Sequence, residues 1–185
     1  MKNNDVFVLD NKAQDAVREL VGSGGEDRLQ KYLENVWFGD EQGNLEFTFS
    51  STTYNAFWLL LGSEAYSPEE APDEWTLILN NVSNFAIQDV ASQLFNEHLR
   101  HLVINTNYFS HLNLDVICNP IYDSYLETIV LNCETLVQLS GTRSINSDIT
   151  PVVYVPANLL TQYQSDALWT VMVSQGYCTL EAISE

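Results

Sequence analysis

Basic side chains are nearly missing from this sequence. Of 185 residues only seven are Lys or Arg, and beyond Tyr32 only Arg100 and Arg143 remain, against nineteen Asp and Glu. A protein that tracks a phosphate backbone needs Lys and Arg to displace condensed counterions, so the composition argues against direct binding of nucleic acid. A basic protein surface is the natural complement. The formal net charge of -18 reflects this shortage more than a surplus of acid, because charged residues make up 17% of the chain, below the usual quarter or so of a globular domain. Carboxylates are therefore dense enough to imitate the ~1.7 Å charge spacing of duplex DNA only locally.

Other absences narrow the field. Cysteine is scarce: Cys118, Cys133 and Cys178 are odd in number, far apart and without a C-x-x-C pair, so no disulfide framework is indicated and buried, reduced thiols are expected. No apolar run reaches the length of a membrane span. The N-terminal core at 5–9 (DVFVL) is shorter than the apolar region of a signal peptide, which gives a cytoplasmic expectation, or a particle assembled in the cytoplasm. No low-complexity segment or repeat period is visible. The glycine run at 22–25 (GSGG) lacks the lysine of a phosphate-binding loop and precedes Glu26 and Asp27, so it reads as a helix stop and restart. No G-x-S-x-G elbow is present, and no cofactor is expected.

What is there suits a folded core. Hydrophobic residues make up 45% and aromatics 11% of the chain, including Trp37, Trp58, Trp75 and Trp169, ample for one domain over residues 1–185. The apolar runs at 6–9, 75–79, 116–118 and 152–155 read as buried strands, and 45–50 alternates as a strand with one wet face. Helical spacing is expected at 13–21, 29–36, 85–104 and from Asn158 onward. The segment 122–139 fits a helix better than a strand at 128–131. Alternating strands and helices predict an α/β fold, a mixed sheet of five to six short strands covered by helices, with α+β as the alternative.

Two groups of residues could carry function. The stretch 64–74 (EAYSPEEAPDE) holds Glu64, Glu69, Glu70, Asp73 and Glu74 with no base, flanked by Tyr66 and Trp75. Acids and prolines before a strand commonly mark solvated loop, but this combination would also form an electronegative knob with aromatic anchors for an Arg-rich surface. It lacks the order of a Ca2+ loop. His98, His101 and His111, with Cys118 seven residues on, carry the ligand types of a zinc site. Their spacing matches no known motif, and His98 lacks the following Glu of H-E-x-x-H.

The leading expectation is a non-enzymatic acidic protein whose partner-binding residues are Glu64, Tyr66, Glu69, Glu70, Asp73, Glu74 and Trp75. It would occlude a basic, nucleic-acid-binding surface of another protein. In composition alone, this resembles the inhibitors that phages and plasmids raise against restriction or CRISPR systems, and the immunity proteins of nuclease toxins. The alternative is a structural subunit, such as a virion component, working through self- or neighbour association. A metal-dependent enzyme using the histidine cluster ranks third.

Overall fold

The computed structural model describes residues 37, 39–48, 71–81, 98–107, 110–113, 125–140 and 149–184. They form an α/β fold. Strands β1 (Asn44–Thr48), β2 (Trp75–Asn80), β3 (Leu99–Asn105), β5 (Thr128–Asn132), β7 (Val152–Val155) and β8 (Thr179–Ala182) make one six-stranded sheet, and β4 (His111–Asn113) pairs with β6 (Gln138–Ser140) in a second. Every pairing is parallel. Two short helices, α1 (Leu160–Ser165) and α2 (Ala167–Ser174), lie between β7 and β8.

The large sheet is ordered as the chain is, β1-β2-β3-β5-β7-β8. Its two faces are buried unequally. The register row Leu45, Leu77, Leu102, Ile129, Val153 is buried, as are Phe47, Leu79, Ile104, Leu131 and Val155 beside it, each contributing about 1.5–3 kcal/mol of apolar transfer. The opposite face, from Glu46 to Tyr154, is only half-buried.

These strands are coils of a repeat, which the sequence analysis did not find. Register partners recur every 24 to 32 residues, and Leu102 and Ile129 are each followed ten residues later by a buried leucine, Leu112 and Leu139, in β4 and β6. In the next coil Tyr163, ten residues after Val153, is buried in α1. The same spacing of buried residues, Leu99-x-x-Leu102-x-Ile104 and Leu126-x-x-Ile129-x-Leu131, recurs in two neighbouring strands. Unequal coil lengths hide the period from a linear scan.

Two expected helices are corrected. Residues 99–104 form β3 and not the end of a helix over 85–104, because the register slips at Trp75/Thr76 and Arg100 is the extra residue. The bulge spaces Leu99 and Leu102 three apart, which imitates a helical face. The segment 122–139 contains β5 and the start of β6: Leu126 precedes β5 and Cys133 follows it, so buried residues outside the strand supplied the false 3.6 period. The strands expected at 45–50, 75–79 and 152–155 are present as β1, β2 and β7. Those expected at 6–9 and 116–118, and the helices at 13–21 and 29–36, lie outside the described residues.

The helix expected from Asn158 is broken in two. Asp166, with φ -70° and ψ 137°, leaves the helical region and caps α2 through Oδ1, which accepts from the backbone N–H groups of Leu168 (3.0 Å) and Trp169 (3.2 Å). Such a cap contributes about 1 kcal/mol. At the other end of α2 the N–H of Tyr177 reaches Met172 O and that of Gly176 reaches Val173 O, a Schellman closure that requires the left-handed φ of 75° at Gly176.

Where β6 would next pair with a strand, α1 and α2 intervene, and two aromatic side chains supply the missing partners. The N–H of Val137 donates to Tyr163 Oη at 2.9 Å, and Trp169 Nε1–H donates to Val137 O at 2.8 Å. The two rings meet edge to face at 5.3 Å. The buried N–H and C=O of Val137, just before β6, are thereby satisfied without a strand.

Candidate functional site

In a sheet whose strands run the same way in chain order, residues preceding the strands line up along one rim and residues following them along the other. The two rims differ chemically. Asp40 and Glu41 precede β1, Asp73 and Glu74 precede β2, and Glu127 precedes β5. These are five of the nine acids among the described residues, which include one Lys or Arg, Arg100. Arg100 is engaged on this rim, 3.6 Å from Glu127 and 5.4 Å from the ring centre of Tyr125. Among the described residues the start rim therefore carries five carboxylates, of which Glu127 is paired with the one base, Arg100.

Asp40 differs from its neighbours in role. Burial would raise its pKa, but hydrogen bonds from the Asn44 side chain and from the backbone N–H groups of Asn44 and Gln42 outweigh it and hold the carboxyl below the ordinary aspartate value. It shapes the turn into β1. Glu41, Asp73, Glu74 and Glu127 are exposed.

The end rim is built of amides. Asn80, Asn105 and Asn132 close β2, β3 and β5 in register. Their side chains form a ladder: Asn132 Nδ2 to Asn105 Oδ1 at 3.3 Å, Asn105 Nδ2 to Asn80 Oδ1 at 3.0 Å, Asn80 Nδ2 to Glu46 Oε1 at 2.6 Å. Beyond it lies an open cleft of ≈ 590 Å³ lined chiefly by Asn81, Asn105, Asn107, Asn132, Glu134 and Asn158.

Between the rims, the half-exposed face presents a central register row Glu46, Ile78, Val103, Val130, Tyr154, Glu181. Four apolar residues thus lie between two carboxylates, and the row is flanked by Thr76, His101 and Thr128 on the start side and by the asparagines on the end side. The row thus has a half-buried apolar centre and a carboxylate at each end.

The residues singled out in the sequence distribute as follows. Asp73 and Glu74 are on the acidic rim; Glu64, Tyr66, Glu69, Glu70 and Cys118 lie outside the described residues. Trp75 is corrected: it is 1% exposed, donates Nε1–H to Pro72 O at 2.7 Å, and packs on Trp37 at 5.1 Å and His98 at 5.3 Å. It anchors its own loop and leaves no face for a partner. The histidines sit on three elements. His98 in the turn before β3 contacts Asp73 O at 3.1 Å, His101 in β3 contacts Thr128 Oγ1 at 2.8 Å, and His111 in β4 contacts Ser110 Oγ at 2.8 Å. Among the described residues no three His, Cys, Asp or Glu side chains converge as metal ligands, and no helix is long and apolar enough to cross a membrane.

The asparagine ladder was missed, although its signal is legible: LILN at 77–80, LVIN at 102–105 and IVLN at 129–132 repeat three apolar residues and an asparagine. Comparison with protein-family models, curated proteins and solved structures returns no match.

Proposed function

We propose that this chain is a non-enzymatic binding protein that docks on a basic protein surface and occludes it, the surface being one that otherwise holds nucleic acid in the cytoplasm. The observation that carries this reading is the alignment of Glu41, Asp73, Glu74 and Glu127 along one sheet rim. Coherent charge of one sign steers encounter and makes affinity fall with salt, whereas scattered carboxylates would do neither. Adjacent to the rim, Ile78, Val103, Val130 and Tyr154 offer apolar area for residence time.

The test is affinity capture from the native host with the wild type and with a variant carrying Glu41→Ser, Asp73→Ser, Glu74→Ser and Glu127→Ser. Surface substitutions of this kind cost little stability, so both chains should fold. The expected result is a basic nucleic-acid-binding protein held 1:1 by the wild type, with affinity dropping at least about tenfold in the variant and with added salt. Equal capture by both chains, or tight retention of the wild type on bare DNA or RNA, would refute the reading.

A second reading has its own support. Leu168 (47% exposed), Val171 (46%) and Val173 (39%) of α2 are solvent-facing, and β8 pairs on one side only among the described residues. End repeats of solenoids need covering, so self-association through this end is the assembly alternative. Concentration-dependent mass insensitive to salt would favour it.

A further inference from the structure

The orientation of the asparagine ladder is fixed by its first member. A carboxylate only accepts hydrogen bonds, so the 2.6 Å contact with Glu46 Oε1 is made by the Asn80 NH2 group. That turns Asn80 Oδ1 toward Asn105, which must answer with its own NH2, and the same logic carries to Asn132. All three amides therefore direct their donor ends to Glu46 and their carbonyl ends away from it. In register, Val130 faces Tyr154, so the position following Asn132 in the next coil is Pro156. Proline has neither an amide side chain nor an N–H to donate, and the ladder stops there.

Asn132 Oδ1 is thus the terminal acceptor of a chain of aligned amide dipoles, exposed at the mouth of the end-rim cleft. Glu134 lines the same cleft. Its Oε1 takes Asn107 Nδ2 at 2.9 Å, which holds the carboxylate in place and leaves its second oxygen to another donor. Asn81, Asn107 and Asn158 add further amide oxygens, and no lysine or arginine is among the lining residues.

We propose that this cleft binds a guanidinium group, presented as an arginine side chain by the basic partner. The inference rests on the reading given under Proposed function and adds a second contact at the opposite rim, reached by a partner that spans the row Ile78, Val103, Val130 and Tyr154. A guanidinium offers five N–H donors in a planar fork and no acceptor, which suits one carboxylate and one amide oxygen approached from different sides. An ammonium offers only a point charge, and the opening of ≈ 590 Å³ has room for the arginine stem.

The experiment titrates the whole chain with a blocked Gly-Gly-Arg-Gly-Gly peptide, its lysine counterpart and its citrulline counterpart, which keeps the shape without the charge. Side-chain amide resonances of Asn107 and Asn132 report the site, and calorimetry reports affinity. The arginine peptide is expected to shift both resonances, with the citrulline peptide about 10- to 100-fold weaker and the lysine peptide intermediate. Glu134→Gln and Asn132→Leu should each weaken the arginine peptide about tenfold or more, and although Asn132→Leu also forfeits the ladder bond to Asn105, the exposed Glu134→Gln should leave the unfolding midpoint nearly unchanged. Equal binding of arginine and citrulline peptides, binding indifferent to both substitutions, or no binding would overturn the proposal. If Glu134→Gln and Asn132→Leu capture the host partner as well as the wild type while the rim variant does not, the cleft assignment falls and the functional reading stands. If the peptide binds as described while the rim variant captures normally, the reverse holds.

Discussion

Tyr163 and Cys133 are ionisable groups kept neutral by burial. Burial pushes the Tyr163 phenol up to about 12, opposed by the hydrogen bond from Val137 N–H and aided by Cys133, and pushes the Cys133 thiol up to about 11, opposed by Thr106 N–H. In the unfolded chain these groups release their protons near the ordinary values of 10.0 and 9.0. Above pH 9 the folded chain therefore holds protons that the unfolded chain has lost, and stability falls as pH rises. The stabilisation is complete below pH 9 and lost through pH 11 for the thiol and pH 12 for the phenol, on the order of 2–3 kcal/mol for each. Urea midpoints measured from about pH 8 to about pH 12 should decline in that window, and Tyr163→Phe should flatten the upper part of it. A midpoint constant to pH 12 would contradict the burial of both groups.

At the scale of elements, the turn into β1 shows how one coil fits the next. Gly43 has a φ of +84°, and a Cβ there would lie 2.4 Å from Glu74 O of the neighbouring coil, while its own carbonyl accepts Thr76 N–H at 2.9 Å. Backbone of β1 thus touches backbone of the acidic loop with no space for a side chain. Gly43→Ala should cost about 1–3 kcal/mol by thermal denaturation, whereas Gly176→Ala, with open space around it, should cost only the left-handed φ. Equal losses at the two sites would remove the argument for close coil packing. Strands β1, β2 and β7 were legible because they alternate or run apolar without interruption. Strand β3 was not, because a bulge at Arg100 broke its alternation, and β5 was not, because Leu126 and Cys133 extend its buried set beyond its ends. His101 accordingly fell within the helix expected at 85–104, when it lies on the open sheet face beside Thr128.

The whole molecule carries a net charge of -18, and on the described surface a single base faces nine acids. Self-repulsion at that charge opposes the compact state. Raising ionic strength from about 0.01 M to about 0.15 M shortens the screening length from about 30 Å to about 8 Å, so the thermal midpoint should rise by several degrees over that range. A midpoint that falls or stays level would show that local pairing, and not mutual repulsion, governs the electrostatics. The same repulsion, concentrated on one rim, is what would draw a cationic partner to that side.

The sequence by itself determined the sign of the charge, the apolar content and the strands whose alternation is unbroken, because these are properties of composition and of neighbouring residues. Only the tertiary structure decided that Asp40, Asp73 and Glu127, drawn from separate stretches of chain, share a rim. It also brought into register the asparagines that end the repeated LILN, LVIN and IVLN stretches, so that Asn80, Asn105 and Asn132 bond as a ladder. Parallel strands stacked in chain order convert position within a coil into position on a surface, and that conversion depends on register, which no local pattern encodes.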